Sequence, residues 1–171
     1  MEIQLVGENC LRIKGKNSSL LVDPSMLKTK TPSDAVLLLK DCEFDSSKVE
    51  GSRILINGAG EYEFSGVKVS SLNHTYDLFV DGISLILGKS SELEKIKAET
   101  KGYDIAIIHV DQKFDPSILT NIEPKVAIFY GEENKLKADS GLDSSLKSVS
   151  KYVVKKESLP AELEKVLLAS S

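Results

Sequence analysis

The chain has no tryptophan and, among 171 residues, only two histidines, two cysteines, two methionines and five prolines. Two cysteines, Cys10 and Cys42, make no disulfide framework, and they read as reduced thiols of a reducing compartment. Two histidines, His74 and His109, imply no Ser-His-Asp set, because that arrangement is recognised by geometry and not by spacing. Long apolar runs are also missing: residues 35–39 and 83–87 fall far short of the ~20 residues a membrane span needs. The first residues enter a strand-like pattern at once, without the basic and apolar regions of a secretory leader. Basic residues show no excess, with 22 Lys and Arg against 26 Asp and Glu and a net charge of −4. That balance argues against binding a phosphate backbone, although a local basic patch is compatible with it. The expectation is a cytoplasmic protein with no membrane and no nucleic-acid partner.

What is present suits one globular domain over residues 1–171, with 41% hydrophobic and 28% charged residues. Such a length buries roughly two-thirds of the surface its unfolded chain exposes. Short runs rich in Val, Ile and Leu fill the first half, at 2–6, 10–14, 19–22, 35–39, 53–56, 62–64, 67–72, 77–80 and 83–87. Gly15-Lys16-Asn17 and Asp81-Gly82 read as hairpin turns, since Asn, Asp and Gly tolerate positive φ. The second half alternates. Residues 90–100 read as a helix capped by Ser90 or Ser91, and 115–121 as a short helix with Pro116 in its first turn. Residues 104–110 and 125–130 are apolar enough for strands buried on both faces. Residues 143–150 read as a short helix, 152–155 and 166–168 as closing strands. Two mixed sheets packed face to face with helices outside follow from this order.

Several segments carry a resemblance. Residues 1–24 read MEIQLVGENCLRIKGKNSSLLVDP, and Gly7, Cys10, Asp23 and Pro24 resemble the opening of the metallo-β-lactamase superfamily, in its branch related to ascorbate-6-phosphate lactonase. Glu8 stands where that branch has His. Residues 34–45, DAVLLLKDCEFD, are similar to its strand and metal loop, Asp-Ala-Val-Leu-Ile-Thr-His-x-His-x-Asp-His. Gly58-Ala-Gly-Glu-Tyr-Glu63 resembles a Gly-Pro-Gly-Glu-Tyr-Glu signature. Residues 104–131 and Lys155-Lys-Glu-Ser-Leu-Pro160 look like the late strand–helix–strand unit and the closing segment.

The resemblance implies an α/β fold, a trimmed four-layer α/β/β/α sandwich of two mixed β-sheets, and it implies a metal site that this chain has altered. The four metal-loop positions become Lys40, Cys42, Phe44 and Asp45. The family's third metal-binding His falls near His74, its bridging Asp at Lys89, and its last His at Phe129 or a neighbour. Zinc prefers imidazole, thiolate and carboxylate, and lowers the pKa of bound water to about 7. Phe44 offers no donor, and at an effective dielectric of ~20 a like-charge contact at ~4 Å costs about 4 kcal/mol per unit pair. Lys40 and Lys89 therefore oppose a divalent ion and are expected to balance charge in its place, pairing with Asp41, Glu43 or Asp45.

The resemblance thus leads to a non-catalytic protein with a binding or scaffolding role and no cofactor. Lys40, Asp41, His74 and Lys89 are the candidate ligand-binding residues. Two alternatives stay open: a metal-dependent hydrolase of a small phosphorylated sugar or lactone using a reduced site of Cys42, Asp45 and His74, with zinc as the alternative cofactor, and a small-anion binder in the old pocket. Partners are expected to be a second copy of the chain, another protein or a small anion. Cys42 reads as a quiet thiol, with a thiolate activated by Lys40 as the alternative. His109 reads as a satisfied polar residue at a strand end, His74 as a structural hydrogen-bonding residue with ligand binding as the alternative, and Gly58-Ala-Gly-Glu61 as a tight turn between strands.

Overall fold

The computed structural model describes residues 1–96, 102–132, 136 and 146–169. An antiparallel meander opens the chain: β1 (Glu2–Leu5), β2 (Leu11–Lys14) and β3 (Ser19–Val22). β4 (Thr31–Pro32) precedes β5 (Ala35–Leu37), and β6 (Val49–Glu50) precedes β7 (Ile54–Ile56). β5 adds to β3 and β7 to β5, both in parallel, while β4 and β6 pair as a small parallel ribbon. A second meander follows, with β8 (Gly60–Phe64), β9 (Val67–Leu72), β10 (Thr75–Val80) and β11 (Ile83–Lys89). Two-residue loops join these strands at 65–66, 73–74 and 81–82. All six loop residues have positive φ, from 47 to 79°. These are the type I′ turns whose twist matches paired strands.

After β11 come α1 (Ser90–Leu93), β12 (Ile105–His109), α2 (Ser117–Ile122) and β13 (Val126–Tyr130). β14 (Lys147–Val149), β15 (Lys151–Val153) and β16 (Glu164–Leu168) end the description. The first sheet runs β15-β1-β2-β3-β5-β7 and the second β14-β16-β13-β12-β11-β10-β9-β8. Each combines an antiparallel meander with parallel strands. The chain steps between the sheets from β7 to β8, from β14 to β15 and back from β15 to β16.

Strand alternation places the layers. Ile3, Leu11, Ile13, Leu20, Val22 and Leu37 of the first sheet meet Val69, Leu78, Leu85, Leu87, Ile107 and Ile128 of the second in one buried core. β11, β12 and β13 are apolar on both faces, because their outward Ile86, Ala106, Ile108, Ala127 and Phe129 pack under Leu93, Phe114, Ile118 and Ile122. Outside the first sheet, Cys10, Leu21, Leu27, Val36 and Leu38 are covered by 3-10 turns and loops. That is the trimmed side of the sandwich. No helix among the described residues is long and apolar enough to cross a membrane.

Two helix expectations need correction. Residues 147–149 of the expected 143–150 helix form β14, because pairing with β16 overrides local preference, and residues 143–145 lie outside the described residues. The helix expected at 90–100 extends over Ser90–Leu93, and residues 97–100 lie outside the described residues. Neither serine caps it by its own side chain. The acceptor is Asp111, whose carboxylate takes the Ser91 amide at 3.1 Å and both serine hydroxyls.

Candidate functional site

Parallel strands gather their carboxyl ends at one edge, where ligands bind in open α/β sheets. Here the ends of β3, β5, β11, β12 and β13 enclose a cleft of 450 Å³. Asp23 follows β3, Lys40 follows β5, Lys89 and His109 end β11 and β12, and Asp111 and Glu132 lie just beyond β12 and β13. Lys89, His109 and Tyr130 stand in one register row across the second sheet, and Tyr130 stacks on His109 with ring centroids 5.0 Å apart.

Asp23 forms the floor. It is buried and holds a left-handed φ of 47°, starting the 3-10 turn Pro24–Met26. Its amide donates to the Leu37 carbonyl at 3.0 Å, and its Oδ1 accepts from the Leu39 amide at 2.9 Å, which clamps the loop after β5. Burial pushes its carboxyl above the ordinary range, opposed by the Leu39 amide and by Lys40, Lys89 and His74. The fully buried Tyr130 hydroxyl lies near Asp23 and Cys10, is pushed well above its ordinary value by burial, and has no hydrogen-bond partner among the described residues. For Asp111, burial raises the carboxyl, but hydrogen bonds from Ser91 and Ser90 and the charge of Lys89 outweigh it and lower the value.

The expected site residues divide. Lys40 and Lys89 line the cleft together. Neither lies within 4 Å of a carboxylate of Asp41, Glu43 or Asp45, so that pairing is corrected: both act on Asp23 at longer range. Asp41 is exposed and outside the cleft lining. His74 occupies the β9–β10 turn, where its ring Nδ1–H donates to the Leu38 carbonyl at 3.0 Å. Tyr76 reaches the same carbonyl, so the pair fastens the end of β5 to the second sheet. Asp45 is exposed and caps the 3-10 turn Ser46–Lys48, accepting the Ser47 amide at 3.0 Å and its hydroxyl at 2.6 Å.

Phe44 and Cys42 pack against the cluster around Cys10. Burial and Asp23 raise the Cys42 thiol while Lys40 opposes them, so the activated-thiolate alternative is corrected. Burial takes Cys10 up to about 12. Phe129 faces outward, edge-on to Phe114 at 5.1 Å, and its neighbour Tyr130 faces inward. Sequence reasoning did not single out Asp111 or Glu132. Their signal was position, just past the ends of two apolar parallel strands.

No protein-family model matches the sequence, and no curated protein matches it. Solved structures do. A protein from Thermotoga maritima assigned as a Zn-dependent hydrolase of the metallo-β-lactamase superfamily aligns over 98% of this chain and 98% of its own, with TM-score 0.74 and 17% identity. A metal-dependent hydrolase from Parabacteroides distasonis aligns over 82% of this chain and 90% of its own, with TM-score 0.59 and 17% identity. Igni18, a metallo hydrolase from Ignicoccus hospitalis, aligns over 75% and 81%, with TM-score 0.53 and 13% identity. The chain has the metallo-β-lactamase fold.

Among the described residues no three His, Cys, Asp or Glu side chains converge as ligands. Asp45 is engaged in its own cap and His74 with a carbonyl, while two ammonium groups act on the buried carboxylate of Asp23.

Proposed function

We propose that this protein is a non-catalytic member of the metallo-β-lactamase fold in which the cleft at the strand ends serves binding. The observation that carries the reading is the convergence of Lys40 and Lys89 on one cleft above Asp23, at positions where the family resemblance expects metal ligands. Ammonium groups there take over the charge balance of a cation and repel one. A small anion held by the two lysines is the ligand this arrangement favours, with Asp23 in the cleft lining as a hydrogen-bond acceptor for a bound hydroxyl or water.

The test is metal content together with ligand-dependent stability. Protein purified without chelator is expected to carry far less than one equivalent of zinc, manganese or iron by elemental analysis. Phosphate is expected to raise the melting temperature in the native chain, and much less in Lys40→Ala and Lys89→Ala. Near-stoichiometric metal would overturn the reading in favour of a metal-dependent hydrolase, whose present support is the names carried by the structural neighbours. Self-association belongs to the same proposal. Leu72 and Phe79 are exposed on the outer face of the second sheet, and a monomer by light scattering at working concentration would count against it.

A further inference from the structure

We propose a second binding site beside the cleft, with which it shares Glu8: a basic groove on the outer face of the first sheet that docks an extended, carboxylate-rich peptide segment of a partner protein. The groove begins where two stretches of chain touch. Gly7 and Leu27 form an isolated antiparallel bridge, and a Cβ on Gly7 would lie 2.5 Å from the Met26 carbonyl oxygen, so only glycine permits this approach. Before the bridge the chain runs in β1, and after it residues 28–32 leave to pair with β6. The two walls splay apart around a groove of 660 Å³.

Arg12, Lys28 and Lys30 line it, against the single carboxylate of Glu8, in a chain whose net charge is −4. Leu11 and Ile13 of β2 face the core, so Arg12 projects to the groove side. Its guanidinium touches Glu2 at a loose 3.5 Å, and its Nε, closed off from solvent, has no hydrogen-bond partner among the described residues. Arg12 therefore adds positive charge beside the groove while its Nε stays shielded from any ligand, and the contacts fall to Lys28 and Lys30, exposed point charges along one wall.

The occupant follows from what the groove has and lacks. Its cations are spread along a trough, which suits a chain of carboxylates more than one compact anion. It has no aromatic side chain on which a base could stack. The negative charge of the whole molecule disfavours a long polyanion, while a short acidic segment feels mainly the local field within a Debye length of roughly 10 Å.

The experiment is fluorescence anisotropy of a labelled short polyglutamate peptide titrated with the full chain at low salt. Saturable binding that weakens as salt is added is expected. In the Lys28→Ala/Lys30→Ala double variant, which changes two exposed side chains, affinity falls by about tenfold or more, a loss that charge-assisted contacts readily supply. Glu8→Gln tightens binding, and Lys68→Ala on the opposite sheet leaves it unchanged. Absence of saturation, equal loss from Lys68→Ala, an unaffected double variant, or tighter binding of oligothymidylate than of the peptide would each overturn the proposal. Unchanged melting temperature of the double variant guards against misfolding. Binding here is expected to survive Lys40→Ala, so failure of this site and failure of the cleft reading are distinguishable.

Discussion

Asp104 is a single residue that holds three segments. Its carboxylate accepts from the Ser84 amide and hydroxyl, from Lys125 at 3.1 Å and from Lys156. Burial alone would raise its carboxyl, but these donors outweigh burial and hold it at about 2, against 3.8 ordinarily. A carboxyl lowered on folding stabilises the native state above its unfolded value, and that contribution is lost as pH falls from 3.8 toward 2. The shift corresponds to roughly 2 kcal/mol. Asp104→Asn is thus expected to lower stability by about that amount at pH 7, with the two denaturation curves converging near pH 2. Tyr130 works in the other direction. Its buried hydroxyl lacks a partner among the described residues, and such a group costs ~1–3 kcal/mol. Tyr130→Phe is expected to leave thermal stability equal or higher, and a large loss would show that the hydroxyl is engaged.

Among the elements, the hairpins were the most legible. Asp81-Gly82 announces its type I′ turn because residues tolerant of positive φ stand between apolar strands, and the structure joins Val80 to Ile83 there. The same rule applies to Asn73-His74, whose place in a turn became visible only with the strands paired, where the His74 ring bonds the Leu38 carbonyl. α1 shows the opposite limit. Ser90 and Ser91 look like local caps, whereas the acceptor arrives from Asp111, twenty residues from Ser91. Asp111→Ala is expected to cost about 1–2 kcal/mol, the upper range for losing a cap, read by chemical denaturation. A Ser91→Ala variant keeps the amide contact and is expected to lose less.

At the scale of the whole molecule, one apolar core runs between the sheets and includes residues from β1 to β16. Neither sheet can bury its inner face alone, so unfolding is expected to be a single cooperative transition. Far-ultraviolet circular dichroism and tyrosine fluorescence, which reports the buried Tyr76 and Tyr130, should give coincident curves. Separate midpoints would show two folding units. Alternation, turn residues and strand-end punctuation were local properties, and they determined the strands and a mixed α/β class, while the family resemblance pointed to Lys40, Phe44 and Lys89 at its metal positions. The cleft was decided by tertiary structure. Asp23, Lys40, Lys89, the His109–Asp111 segment and Glu132 are far apart along the chain, and parallel register within each sheet, with the packing of the two sheets face to face, brings their strand ends to one edge. No local pattern encodes that meeting, because pairing between distant strands sets which side chains share an edge and which, like Phe129, turn outward.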